Sequence, residues 1–278
     1  MQLHAARNFR PQGFLPLALG EHPLGWIRRD QADRLRAWPD VFEVAENRIF
    51  LSPGPEPVLS HAIAKVTQAL ARDGAIRGWR GETYAVRAKA GGETLFHTER
   101  AAMRFFGLTS SAAHLNGFFV RNENLEMWIA RRSATKAIDP GLLDNLVGGG
   151  VPSGEDAWQT LLRECGEEAG IPVALAENAR PAGVLRVCRE VPDGLHSEIL
   201  HVYDLPLPPE FAPRNADGEV SEFLSFDAQA LLERIVRGEL TVEAGLVAAD
   251  FALRHGLIRD VDGKAGTAID ACRGPILP

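Results

Sequence analysis

Residues 149–171 read Gly149-Gly150-Val151-Pro152-Ser153-Gly154-Glu155-Asp156-Ala157-Trp158-Gln159-Thr160-Leu161-Leu162-Arg163-Glu164-Cys165-Gly166-Glu167-Glu168-Ala169-Gly170-Ile171. From Glu155 to Ala169 the periodicity predicts a helix. Trp158, Leu161, Leu162, Cys165 and Ala169 recur at spacings of three and four and form one apolar stripe. Glu164, Glu167 and Glu168 gather on another face. Ser153, three residues ahead of Asp156, resembles a capping box, and Gly170 followed by Pro172 supplies the stop. Glu164 and Glu168 are four apart, a spacing at which like charges repel. Hard cations relieve that repulsion, and carboxylate oxygens suit Mg²⁺ or Mn²⁺. Arg163 can grip one carboxylate with two parallel hydrogen bonds and set its direction. The turn Gly148-Gly149-Gly150 lets backbone come close to a phosphate or a metal. A solvated acidic face is the plainer reading of most charge clusters. Nine residues in this order favour metal.

Those positions (Gly149, Glu155, Arg163, Glu164, Cys165, Glu167, Glu168, Gly170 and Ile171) resemble the Nudix box, G-x5-E-x7-R-E-U-x-E-E-x-G-U with U usually aliphatic. Cys165 stands at the first U, where a small buried apolar side chain serves as well. The likeness extends outward. Leu115-Asn116-Gly117, Arg131-Arg132-Ser133 with Lys136, and Pro140 to Asn145 are similar to the thiamine pyrophosphokinase-related Nudix subfamily. Gly25-Trp26-Ile27-Arg28, Trp38 to Phe42 and Gly78-Trp79-Arg80 look like the domain of unassigned function that precedes the Nudix region in that group.

The resemblance implies an α/β fold, a Nudix α/β/α sandwich with a mixed sheet, preceded here by a small α+β domain. It implies an enzyme that uses Mg²⁺, with Mn²⁺ as a substitute, to cleave a diphosphate bond in a small molecule. The subfamily points to thiamine diphosphate or its oxo- and oxythiamine analogues, converted to the monophosphate and phosphate. Other substrates stay open: ADP-ribose, nucleotide sugars, NADH or coenzyme A. By family position Glu164, Glu167, Glu168 and the Gly148 carbonyl hold metal. Glu164 activates water, and Arg163 orients it with help from Glu155. A further acid after the box is Glu219 or Glu222. Arg131, Arg132 and Lys136 are placed to grip phosphates, because guanidinium forks match them. Two rivals fit less well. Isopentenyl-diphosphate isomerases share the fold but work outside a standard box. Non-catalytic metabolite sensors often lose box glutamates, and this chain keeps each one.

Composition bounds the rest. A chain of 278 residues, 45% hydrophobic, suits one large domain or two ordinary ones. A net charge of −7 offers no general attraction for nucleic acid, so local cations and metal must draw an anionic substrate. Three scattered cysteines argue against a disulfide framework and for a reducing compartment, and no signal or membrane-spanning run is apparent; the expectation is a cytoplasmic protein. A homodimer is the assembly to consider.

Domain boundaries are expected at 1–112, 113–262 and a tail at 263–278, with Thr109-Ser110-Ser111 as the joint. Helices are expected over residues 31–38, 61–72 and 99–106, with a hairpin of Phe42 to Val44 and Arg48 to Leu51. Beyond His114, strands are expected over residues 115–120, 125–131, 146–147, 180–190, 197–205 and 222–226, and helices over 228–237 and 242–255. Trp26, Trp38, Trp79 and Trp128 are available to stack on a ring, although core burial is the better reading of each. His201 reads as structural, and Asp144 and Asn145 as loop hydrogen-bonders.

Overall fold

The computed structural model describes residues 2–89, 91–260 and 262–275. The first part of the chain runs α1 (Gln2–Ala5), β1 (Phe14–Leu19), β2 (His22–Arg28), α2 (Arg29–Ala32), β3 (Phe42–Val44), β4 (Ile49–Leu51), α3 (Glu56–Arg72), β5 (Thr83–Arg87), β6 (Thr94–Glu99) and α4 (Ala102–Phe106). The second part runs β7 (Thr109–Arg121), β8 (Asn124–Arg132), β9 (Leu143–Asn145), β10 (Val147–Gly150), α5 (Ala157–Ala169), α6 (Val173–Ala176), β11 (Arg180–Val191), β12 (Gly194–Pro206), β13 (Val220–Asp227), α7 (Ala228–Arg237), α8 (Val242–Arg254) and α9 (Lys264–Arg273).

A four-stranded sheet, ordered β2-β1-β4-β3, and the β5-β6 pair make up the first part, around a core that includes Ile27, Leu35, Ile63, Phe96 and Phe106. The main sheet is mixed. Its order is β11-β12-β7-β8-β13, with β10 on the first half of β7 and β9 on β8. Only β7 and β12 run parallel; the other pairings are antiparallel. Alternation along its strands sends neighbouring residues to opposite cores. Ala113, Leu115 and Tyr203 meet Leu161, Cys165 and Ala169 of α5, whereas Ala112, Leu200 and Val202 meet Leu246 and Val247 of α8. The result is the α/β/α sandwich with helices on both faces.

Several expectations need correction. The helix expected over 61–72 starts at Glu56. Pro57 falls in its first turn, where the missing N–H leaves no bond unmade. Residues 31–38 divide between the end of α2 and a 3-10 turn, Asp33–Ala37. Glu99 closes β6, so the following helix begins only at Ala102. Strands β1, β2, β5 and β6 were not anticipated. Residues 109–111, expected as the joint, lie in regular structure: they open β7 and pair with Ser197 to Ile199 of β12.

The two parts also interlock through side chains. Ala6 joins the core beneath α8, and its carbonyl accepts from Cys188 N at 2.8 Å. Phe14 packs with Cys188 and Leu195, flanked by Phe9 and Trp26.

Residues 264–273, expected as tail, form α9. Its Ile269 and Cys272 are almost fully buried in the α8 core, and Arg273 pairs with the buried Asp250 at 2.5 Å. Ile269→Ala is therefore expected to destabilise the protein by about 2–5 kcal/mol, as for other buried Ile truncations. Urea unfolding measures it; a change within about 0.5 kcal/mol would mean that α9 is a surface appendage.

Candidate active site

The box helix begins at an Asp156 cap and not at Ser153. The Asp156 carboxylate accepts from Gln159 N at 2.8 Å, and the Gln159 side chain accepts from Asp156 N at 3.0 Å. Gly170 ends the helix in the left-handed region (φ 62°), and Ile171 N closes on Cys165 O at 2.8 Å. This terminus also anchors the next segment of the site. Arg214 N donates to Ala169 O, and Ala216 N donates to Glu167 O. Asp217 and Glu219 are thereby carried to the acidic face of α5.

Arg163 holds three carboxylates at once. It donates to Glu155 through Nε (3.1 Å) and Nη2 (3.2 Å), and through Nη1 to Glu164 (3.0 Å) and Glu167 (2.9 Å). Thr160 Oγ1 donates to the second Glu155 oxygen at 2.8 Å, so Glu155 stands behind Arg163 and outside the cavity lining. Burial works against the Arg163 charge, yet Glu155, Glu164 and Glu167 raise its pKa. The Arg163 hydrogen bonds in turn hold Glu155 below its usual range.

Glu164 lies across Gly149 so closely that a Cβ there would sit 2.5 Å from the Glu164 Cγ and Cδ. That approach requires glycine at this box position. Glu168 is buried and accepts from Gly148 N at 2.9 Å. Burial, then the neighbouring Glu164, pushes its carboxyl up to about 8. Burial also raises Glu164 and Asp217. Oxygens of Glu168, Asp217 and Glu219 lie within 4.8 Å of one another. Three carboxylates this close, Glu168 buried, Glu219 half-buried and Asp217 exposed, two of them resisting ionisation, fit a divalent cation.

Glu168 titrates near 8 when folded against an ordinary 4.5, so between those values the folded chain holds a proton that the unfolded chain has released. Stability of metal-free protein then declines as pH rises through that window. A cation takes the ionised form, so Mg²⁺ is expected to raise Tm more at about pH 8 than at about pH 5.5. Melting in EDTA and in Mg²⁺ at both values is the check. Equal shifts would remove Glu168 from the ion's ligands.

These groups line one wall of a cavity of about 650 Å³. Of the residues proposed from sequence, the structure brings Gly148, Arg163, Glu164, Glu167, Glu168, Arg132, Lys136 and Glu219 to it. Arg131 and Glu222 are corrections. They are cross-strand partners on β8 and β13, they pair with each other, and both stay outside the lining. Arg132, one residue on, points to the opposite face. Its guanidinium is engaged by Asp144 at 2.7 Å and the Ile138 carbonyl at 2.9 Å, so it braces residues 138–144. Lys136 is paired with Glu219, and burial lowers its pKa against the pull of Glu168.

Other lining residues were missed. Asp217 sat in the same short run as Glu219 and was passed over. His196, Glu198 and Glu243 form a further group in the lining: His196 Nε2 lies 3.1 Å from Glu243 and 3.4 Å from Glu198. The first part of the chain contributes Arg80, Arg100 and Tyr84. No tryptophan lines the cavity: Trp26, Trp38, Trp128 and Trp158 pack in cores, and Trp79 is 45% exposed. His201 lies half-buried on β12, its pKa lowered by burial and by Arg186. Cys165, Cys188 and Cys272 are free and buried. No described helix is long and apolar enough to cross a membrane.

Residues 116–244 match the family model described as NUDIX domain, and residues 1–110 match one described as a domain of unknown function, DUF4743. The chain is 34% identical over 254 residues to Nudix hydrolase 24, chloroplastic, of Arabidopsis thaliana, across 88% of this chain and 69% of that one. It is 33% identical over 259 residues to Nudix hydrolase 20, chloroplastic, of the same plant, with the same shares covered. Among solved structures it is similar to DR0079 from Deinococcus radiodurans, at 26% identity and a TM-score of 0.46, over 60% of this chain and 97% of that one. With its box built as a carboxylate-lined helix and its relatives matched along most of their length, this chain belongs to the Nudix hydrolase family.

Proposed function

We propose that this Nudix hydrolase cleaves the diphosphate bond of a small organic diphosphate with Mg²⁺, and that the substrate is thiamine diphosphate or an oxidised analogue of it. The observation that carries the hydrolytic reading is the single cavity wall on which Arg163 aligns Glu164 beside Glu168, Asp217 and Glu219. Glu164, Glu167, Glu168, Asp217 and Glu219 would hold the ion, with the Gly148 carbonyl as a further ligand. Mg²⁺, or Mn²⁺, supplies charge that neutralises the diphosphate oxyanions. Glu164 has one oxygen committed to Arg163 Nη1 and the other left to take a proton from the attacking water. Arg163 fixes the direction of that carboxylate.

The thiamine substrate rests on the subfamily resemblance of residues 115–145 and of the N-terminal segment. The cavity has the size of small-molecule sites, roughly 300–1,000 Å³. The three buried thiols support a reducing compartment such as the cytoplasm.

The test is phosphate release in Mg²⁺ from thiamine diphosphate and its oxo and oxy analogues. ADP-ribose, NADH, a nucleotide sugar and coenzyme A run alongside, with Glu164→Gln protein as the blank. Selective turnover of the thiamine compounds supports the reading. Turnover of another diphosphate alone removes the substrate and keeps the chemistry. Tight binding without turnover on the whole panel favours a sensor.

A further inference from the structure

The wall that faces the box carboxylates comes from the segment matched by the family of unknown function. It brings Arg77, Arg80, Arg100 and Arg104 to the cavity and one acid, Glu82. Such a concentration of guanidinium is costly to assemble without an anion to receive it, because like charges repel and Arg80, Arg100 and Arg104 are partly stripped of water.

The supporting main chain is firmly set. The Glu99 carboxylate, 8% exposed, accepts from Arg80 N at 2.9 Å and from Ala101 N at 3.5 Å, tying together the two segments that carry Arg80 and Arg100. Arg100 N donates to Glu82 O at 2.9 Å. Ser153 N, inside the box loop, donates to Thr83 O at 2.8 Å, so β5 is bonded directly to the catalytic loop. Tyr84 sits over Gly150, where a Cβ would overlap its hydroxyl, and the Arg100 guanidinium rides 5.8 Å from the Tyr84 ring.

The guanidinium groups are only partly used. Arg100 gives one side-chain hydrogen bond, Nη1 to Glu82 at 2.8 Å, and Arg80 gives one, Nη1 to Glu219 at 3.3 Å. Each has five N–H donors. Among the described residues, Arg77 and Arg104 take part in no salt bridge. The Tyr84 hydroxyl, on a residue 3% exposed, has no hydrogen-bond partner, so the fold leaves a polar group at the foot of this cluster unused.

We propose that the N-terminal domain is the phosphate-binding jaw of this active site, with Arg80 and Arg100 gripping the substrate's diphosphate oxyanions opposite the box carboxylates. This rests on reading the cavity as a diphosphate site. Substrate anion is then held between arginines of one domain and cation-loaded glutamates of the other, and each domain supplies half of the charge pattern. Arginine suits the task because its planar fork meets two phosphate oxygens at once.

The experiment is calorimetric titration of the full chain, in Mg²⁺, with methylenediphosphonate, a diphosphate that cannot be hydrolysed. Arg80→Gln and Arg100→Gln are compared with the parent, and Arg100→Lys separates charge from fork geometry. Each Gln variant is expected to bind about 10- to 100-fold more weakly, the range for a lost charge-assisted hydrogen bond. Arg100→Lys should fall between, and Arg100→Gln should keep the parent's Mg²⁺ affinity. Melting curves identify any variant that has lost its fold; should Arg100→Gln unfold, Arg100→Lys and Arg80→Gln carry the comparison. Folded variants that bind the diphosphonate like the parent overturn the jaw while leaving the hydrolytic reading intact. A parent that does not bind the probe overturns the jaw as well, and the phosphate-release panel then decides separately whether hydrolysis stands.

Discussion

Glu164→Gln is expected to lower turnover of the best diphosphate substrate by about 10²- to 10⁴-fold, the usual contribution of a general base. At saturating Mg²⁺, which offsets one weaker ligand to the ion, substrate binding should change little. The amide has the size and shape of the carboxylate it replaces, so it still fits across Gly149 and still presents an oxygen to Arg163 Nη1. What it loses is the ability to take a proton. KM and Tm should therefore stay close to the parent values while kcat collapses, and steady-state kinetics with melting curves separate the three. Retention of kcat within about threefold would show that another group carries the proton. The distinction matters because Glu168 is also buried and also raised, and it would be the next carboxylate to consider.

The box was legible because its functional groups sit on successive turns of one helix, where spacing alone brings them together. Its cap was misread between two acceptable starts. Ser153 and Asp156 both stand in plausible positions, and Asp156 prevails because its extended backbone and Gln159 three residues on complete a reciprocal pair. The sandwich was legible from the strand and helix order after His114. β1 and β2 were not, since Phe14 to Leu19 is an apolar run without clean alternation and carries Pro16, a residue that argues against a strand. Their pairing, Phe14 with Arg28 and Leu17 with Gly25, comes from a hairpin and not from local propensity.

The second half of the site shows where such reading ends. Glu219 was within reach, but Asp217 arrives only because the 214–216 backbone is hydrogen-bonded to the end of α5. Arg131 and Arg132 are chemically alike and adjacent, and strand alternation sends one out to Glu222 and the other in to Asp144. Arg80 and Arg100 belong to a different domain; Gly78-Trp79-Arg80 is one of the stretches that resemble that domain, and Arg100 carries no motif. Chain topology is what brings them to the cavity, and no periodicity in either segment announces it.

Arg163→Lys is the second large effect, and it tests whether positioning matters as much as the carboxylates themselves. Lys preserves the charge but offers a single flexible ammonium where the guanidinium now bonds Glu155 at two points and Glu164 and Glu167 at one each. Glu164 would lose its fixed direction, and Glu155, outside the cavity, would lose the reason for its depressed pKa. Removal of groups that orient ligands typically costs 10- to 100-fold in metal affinity or activity, so a fall of about that size in kcat is expected. Glu155 acts on the site only through Arg163. Glu155→Gln alone should therefore lower kcat, and adding it to Arg163→Lys should lower it little further, a non-additivity that a double-mutant cycle measures. Independent, additive losses would mean that Glu155 reaches the reaction by another route. If Arg163→Lys keeps full activity, charge alone is enough at this position, and the alignment of Glu164 must come from its contact with Gly149 and from the ion between the glutamates.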